Sequence, residues 1–385
     1  MIPYGRQTIS EEDIRGVVEV LRSDFLTQGP VVPRFERAVA EYCGAPHAVA
    51  VNSATSALHV ACLALGVGPG DRVWTTPNSF VASANCARYC GAAVDFVDID
   101  PRTYNLCVRA LAARLAAAAK TGALPKVVIP VHFAGLPCDL AGISELARRY
   151  GFRVIEDASH AIGARYQDSI VGDCRFSDIT VFSFHPVKII TTGEGGMATT
   201  RDPQLARAMQ LRRSHGVTRE QSELHRGDEG AWYYEQQCLG FNYRMTEMQA
   251  ALGLSQLQRL SEWVARRHEL ADAYDAQLRA LPVTVPTRPA GSRSALHLYV
   301  IQIDAARTAV SRSVVFERMR AAGIGVHVHY IPVHTHPDFQ SLGFRAGAFP
   351  EAEAYYARCL SLPMYAGLSD TDQQRVCVAL RRALA

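Results

Sequence analysis

The chain has 385 residues, 48% of them hydrophobic and 20% charged, which excludes a disordered tail protein and fits one large or two closely joined domains around a sizeable core. Forty basic and 37 acidic residues leave a net charge of +3, too balanced to suggest a nucleic-acid or membrane surface. No apolar run reaches the roughly 18 residues that a bilayer span needs.

The opening MIPYGRQTISEED lacks the basic, apolar, small-residue order of a signal peptide, so a cytoplasmic place is expected. Ser10 opens a first helix, with Asp13 at the capping-box position and Ile14, Val17, Val18 and Leu21 on one apolar face. Phe35, Ala38, Val39 and Tyr42 repeat that spacing in a second helix, after the turn-rich DFLTQGPVV. From residue 48 to about 200, short runs rich in Val and Ile follow one another: HAVAVNS, RVWTTP, AVDFVDID, KVVIPVHF, RVIEDAS, ITVFSF and GMATT. Most are joined through Ala/Leu-rich helical windows, the signature of a mostly parallel sheet covered on both faces. Ligands of such sheets gather at the carboxyl ends of the strands.

Thr218–Gln237 is polar, charged and then aromatic, and reads as a mobile loop or lid. A long helical region is expected from Thr246 to about Leu281. The chain then turns extended at LHLYVIQID, helical near Val314–Ala322, extended again at IGVHVHYIPVH, and ends in the helix VCVALRRALA. The expected division is a large domain over 1–259, including the N-terminal helical segment, and a smaller α+β domain over 260–385. The ten cysteines form no Cys-x-x-Cys pair and mostly sit in apolar context, so they read as buried thiols of a reducing compartment.

Four features could carry chemistry. Asp157 follows a buried run, where a carboxylate is costly unless paired; the alternative is a cap for a helix beginning at Ala158. Lys188 lies between two apolar segments and beside Gly193, Gly195 and Gly196. A desolvated lysine there forms a Schiff base readily; the alternative is a surface lysine. Asn52 to Ala57 lead from a strand into a helix and could cradle an anion on free N–H groups; the alternative is plain N-capping. Phe80, after VWTTP, could stack on a planar ring or simply join the core. Neither Gly-x-Gly-x-x-Gly nor Gly-x-x-x-x-Gly-Lys occurs, so dinucleotide and Walker sites are not supported. A phosphate for the cradle, a pyridinium nitrogen for Asp157, an aldehyde for Lys188 and a flat ring for Phe80 are all features of pyridoxal 5'-phosphate. The pairs His327/His329 and His334/His336 lack acidic or Cys residues at matching spacing, and read as ligand-contacting or structural rather than metal-binding.

EDASHAIGA, followed by FSFHPVKIITTGEGGM, resembles the DegT/StrS family of nucleotide-sugar aminotransferases. The likeness extends through LTQGPVVPRFE, VNSATSALH, TTPNSFVASAN, LRRSHG, LGFNYRMTEMQAALGLSQL, HVHYIP and LSLPMY. It implies a fold-type-I pyridoxal-phosphate transferase of α/β class, working as a homodimer with shared sites. Lys188 would hold the cofactor aldehyde, Asp157 its ring nitrogen, and His160 would lie near the ring hydroxyl, these three being the catalytic set. Phe80 would stack on the ring. Ala54, Thr55 and Ser183 would hold the phosphate together with the partner subunit's Asn242. Tyr4, Phe25, Leu26, Thr27, Gln28, Ser53, Ser183, Asn242, Arg244, His327, Val328, His329 and Tyr330 would line the sugar-nucleotide site. The details PYGRQ, NSATSALH, SHG and HVHY resemble the branch that aminates a UDP-linked 4-keto-6-deoxy-N-acetylhexosamine, with L-glutamate as donor, for pseudaminic acid. Amination of a perosamine or bacillosamine precursor is the alternative within the family. A catalytically silent protein of the same fold is the alternative outside it, and the joint retention of Lys188, Asp157 and His160 argues against that.

Overall fold

A computed structural model describes residues 1–226 and 229–385. Helix α1 (Glu11–Leu21) begins with the full capping box: Ser10 Oγ accepts from the Asp13 N–H, and Asp13 Oδ2 from the Ser10 N–H. Its expected inner face is a correction. Ile14 and Leu21 are exposed in the single chain, and Asp13 and Val20 are buried instead. The cause is Asp13, whose carboxylate accepts from Gln256 Nε2 and Arg259 Nη2, each at 2.6 Å, and so turns that side of the helix inward. Helix α2 (Val31–Cys43) buries Phe35 and Val39 as expected and stops at Gly44, where φ is +74°.

The seven apolar runs form one sheet of β1 (His47–Val51), β2 (Arg72–Thr75), β3 (Ala93–Phe96), β4 (Val127–Ile129), β5 (Arg153–Asp157), β6 (Ile179–Ser183) and β7 (Gly196–Thr200). Their spatial order is β1-β7-β6-β5-β4-β2-β3, parallel except that β7 runs antiparallel to both neighbours. Both faces are dry. Val49, Val51, Val127, Ile129, Ile155, Ile179 and Val181 pack on one side against α3 (Ala54–Ala64) and α4 (Ala82–Tyr89). On the other side Val128 and Val154 meet α5 (Val108–Ala119) and α6 (Leu140–Tyr150), and Ala48, Ala50 and Phe182 meet α2. Strand alternation makes that division.

The expected helix from Thr246 is two helices. After α7 (Pro203–Arg213), α8 (Glu247–Leu257) and α9 (Leu260–Leu278) are separated at Gln258 and Arg259, where Arg259 reaches Asp13. Helix α9 serves two cores: Leu260, Trp263 and Val264 pack with the large sheet's cluster, and Leu270, Ala271, Tyr274 and Leu278 with a second cluster. That second cluster surrounds a three-stranded antiparallel sheet whose middle strand is Tyr299–Ile303, between Val283–Thr284 and Cys359–Leu362. Helices α10 (Arg312–Ala321) and Asp370–Leu384 cover it, and Ile2 from the chain's start joins it. IGVHVHYIPVH is not a strand. It makes only isolated bridges, Ile324 to Ile2 and His327 to Ser361.

The polar stretch Thr218–Gln237 carries a short hairpin of Val217–Thr218 with Glu235–Gln236 and a 3-10 turn at Gln221–Glu223 pinned by Arg207. Residues 227 and 228 of that stretch lie outside the described residues. No helix among the described residues is long and apolar enough to cross a membrane. All ten cysteines are free thiols, eight of them buried.

Candidate active site

The polar side chains collect where the parallel strands end. Asp157 is the last residue of β5 and 4% exposed. Its Oδ2 accepts from Ser83 Oγ at 2.5 Å and its Oδ1 from the Ser159 N–H at 3.1 Å. No helix follows, which removes the capping alternative; the Ala158 N–H goes to the Val181 carbonyl of β6. Ser83 is itself bonded to Ser79 Oγ at 2.7 Å. Reasoning from the sequence missed both serines, although their spacing places them together on the first turn leading into α4.

Lys188 stands on the loop after β6, its N–H bonded to the His185 carbonyl. Burial lowers its amine from the usual lysine range to about 8, and the charge of Asp157 opposes that shift. By accessible surface the residue is partly buried, which sets it apart from a fully exposed lysine. His160 lies on the turn after Asp157. Its Nδ1 accepts from the Ala134 N–H at 3.3 Å, so in the neutral ring Nε2 carries the proton and donates to Tyr330 Oη at 3.1 Å. Burial holds His160 well below the ordinary imidazole range, and Lys188 and His329 push the same way.

Asn52 to Ala57 lead from β1 into α3, and the capping expected of them as the alternative is present. Ser53 caps α3 by accepting from the Ser56 N–H at 3.1 Å, while the N–H groups of Ala54 and Thr55 make no bond among the described residues. Gly196 pairs with Val51 on one side and Ser183 on the other. A Cβ on Gly196 would stand 2.5 to 2.6 Å from the backbone of Ser53 and Ala54, so only glycine lets β7 pass beneath the helix start. Ser183 is thereby brought beside Ala54 and Thr55. Phe80 is 61% exposed and is no core residue; its carbonyl accepts from the Ser83 N–H.

The other wall comes from the second cluster's side. Tyr4 lies against His327 and His329 at ring distances of 5.3 and 5.5 Å, and Gly5 lies against Val187, next to Lys188. His329 Nδ1 is 2.8 Å from Ser361 Oγ, and burial lowers that imidazole to about 3. Val328, Tyr4 and Tyr330 all pack against the buried cluster that contains Phe133 and Tyr355. Asn242 and Arg244 flank Tyr243, whose carbonyl accepts from the Asn52 N–H at 2.8 Å. Asn242 is exposed, and Arg244 Nη1 donates to Ser214 Oγ at 3.2 Å. Phe25, Leu26, Thr27 and Gln28 are exposed and anchored to α8, Leu26 accepting from the Glu247 N–H at 3.0 Å; they make no bond to Lys188, Asp157 or His160 within the chain. His327 and His329 stack on each other at 4.6 Å and His334 bonds Glu353 at 2.9 Å. No group of three or more metal-binding side chains occurs among the described residues.

A shielded amine, a buried carboxylate with its own hydroxyl donor, and free N–H groups at a helix start can together hold a phosphorylated aldehyde that carries a basic ring. Residues 7–381 match the DegT/DnrJ/EryC1/StrS aminotransferase family. The spore coat polysaccharide biosynthesis protein SpsC of Bacillus subtilis is 41% identical over 383 residues, 99% of this chain and 96% of that protein. The GDP-perosamine synthase of Caulobacter vibrioides is 38% identical, covering 96% and 94%. Among solved structures, Helicobacter pylori PseC, an aminotransferase involved in pseudoaminic acid biosynthesis, superposes with a TM-score of 0.91 at 32% identity, over 100% of this chain and 99% of that one.

Proposed function

The chain belongs to the DegT/DnrJ/EryC1/StrS aminotransferase family, and from that premise we propose that it moves an amino group from L-glutamate to the keto carbon of a UDP-linked 4-keto-6-deoxy-N-acetylhexosamine, giving the 4-amino sugar used for pseudaminic acid. It is a sugar aminotransferase of the fold-type-I α/β class, and its cofactor is pyridoxal 5'-phosphate. The observation that carries the reading is that the ends of neighbouring strands β5 and β6 bring partly buried Lys188 and buried Asp157, itself bonded by Ser83, to one end of the sheet.

Pyridoxal phosphate, when bound, supplies an aldehyde that captures amines and a ring that accepts charge from the adjacent carbon. Lys188 Nζ holds the aldehyde and, as a neutral amine, takes up and returns a proton, the work of a general base. Asp157 holds the proton of the ring nitrogen and is itself fixed by Ser83. The Ala54 and Thr55 N–H groups and Ser183 Oγ take the phosphate, with the partner subunit's Asn242 completing the set. Phe80 would cover the ring and neutral His160 would meet its hydroxyl. Tyr4, Ser53, Arg244 and His327 to Tyr330, with Phe25 to Gln28, orient the sugar nucleotide. Binding the diphosphate and uracil aligns the keto carbon, so a truncated substrate loses turnover as well as affinity.

The test is Lys188→Ala, which is expected to lose both borohydride-fixed cofactor and transamination; normal activity in it ends the proposal. Incubation of a panel of UDP- and GDP-linked keto sugars with glutamate, with the products identified by NMR, tests the substrate. The 38% identity to a GDP-perosamine synthase favours a second reading, amination of a GDP-linked keto sugar. Turnover of GDP substrates alone would establish it in place of the first.

A further inference from the structure

We propose that His297 is a positioning residue that holds His160 as a dry, neutral ring in one orientation, and that it does so from across the seam between the two hydrophobic clusters. The proposal rests on the reading of His160 beside the cofactor.

His297 lies two residues before the strand Tyr299–Ile303 and is 3% exposed. Its ring is 4.5 Å from that of His160, tilted by 45°, while the Tyr330 ring runs nearly parallel to His160 at 6.0 Å. Its backbone is clamped. Buried Arg267, on α9, donates from Nη1 to the carbonyls of Leu296, His297 and Met364 at 3.0 to 3.2 Å. The Ala295 and Leu298 N–H groups donate to the carbonyls of Gly135 and Ala134. A Cβ on Gly135 would lie 2.9 Å from the His160 carbonyl and 3.0 Å from the His297 nitrogen, so the two backbones meet with no space between them. Ala134 is also the residue whose N–H fixes the tautomer of His160. One clamp therefore sets both the edge and the face of that ring.

The Nδ1 of His297 is buried without a partner among the described residues. An unpaired buried nitrogen is costly, so the ring makes no hydrogen bond there that could be its purpose; what it offers His160 is a flat, packed face, which a phenyl ring would also offer. The groups facing His160 are the Lys188 amine, the imidazoles of His297 and His329, the Tyr330 phenol and, beyond them, Asp157. A proton on any one of these bases opposes a proton on the next. Burial holds His297 well below the imidazole range, with His160 and Lys188 adding to the shift. The positive charge about these rings is thereby left to Lys188 and to Arg267, whose charge also bears on His297.

The test is an NMR titration of histidine-labelled full-length protein, without cofactor, in the wild type, His297→Ala and His297→Phe. In the wild type His160 is expected to stay neutral, with its proton on Nε2, throughout the usual imidazole range. His297→Ala admits water and is expected to raise the His160 titration by about one pH unit or more and to weaken cofactor binding about tenfold. His297→Phe restores a flat dry wall and is expected to leave both within about threefold of the wild type. If the alanine variant does not fold, His297→Gln, which has no ring plane, takes its place. An unmoved His160 titration in a folded ring-less variant overturns the proposal, as does equal impairment in the phenylalanine variant. A wild type that binds no pyridoxal phosphate counts against the proposed function and leaves the His160 titration readable.

Discussion

Ser83 Oγ reaches Asp157 at 2.5 Å, and both residues are buried. A hydroxyl bonded to a carboxylate in such surroundings contributes about 1.5–3 kcal/mol. Ser83→Ala is therefore expected to weaken pyridoxal phosphate binding about tenfold or more and to slow the half-reaction with glutamate; a cofactor titration followed by absorbance reads the first, and an unchanged curve would remove Ser83 from the site. Lys188 gives a pH prediction. Its amine is lowered to about 8, so below that pH it is mostly an unreactive ammonium and above it a free nucleophile. Capture of pyridoxal phosphate by cofactor-free protein is expected to quicken up to about pH 8 and then level; a rise continuing towards the ordinary lysine range would mean an unshielded amine. Asp157 and Lys188 were legible because each stands next to an apolar run. Ser83 was not, because its partner lies 74 residues on and only the neighbouring places of β2, β4 and β5 bring the strand ends together.

Caps and strands were legible in the elements, whereas coverage was not. Counting a 3.6-residue period found the first turn of α1 and its box, yet the same count put Ile14 and Leu21 inward, since periodicity does not say which body covers a face. Nor does it find the break at Gln258 and Arg259, where neither Gly nor Pro stands. Asp13, read only as a cap, is a fully buried partner of Arg259 and Gln256. Asp13→Ala removes the cap and two buried bonds but leaves Arg259 partly in water, so it is expected to cost about 1–3 kcal/mol and to lower the midpoint of thermal unfolding by a few degrees. Gly196→Ala brings a methyl within 2.5 Å of the Ser53 backbone. Overpacking of that kind costs about 1–3 kcal/mol, and because it pushes on the start of α3 it is expected to reduce phosphate affinity more than it reduces stability. Titration with pyridoxal against pyridoxal phosphate separates the two, since only the second needs the cradle.

For the whole molecule, the seven strands were countable in advance but their order was not: neighbours in space are set by crossovers, and β7 enters between β1 and β6 against the direction of the rest. Ile14, Leu21, Phe25, Leu26, Trp232 and Leu239 are exposed in the single chain, and the proposed phosphate site draws on the partner subunit's Asn242. We therefore expect a homodimer, with light scattering giving twice the chain mass. Ile14→Asp with Leu21→Asp is expected to yield folded monomers with little transamination; full activity in a monomer would show that each chain builds its site alone. Helix α9 bears on any attempt to take the molecule apart. Its first turns belong to one oily interior and its last turns to the other. Cutting the gene within it would leave two fragments, each with an uncovered wall, so neither half is a portable module. Any rocking of the halves about the cofactor must either carry this rod along or bend it.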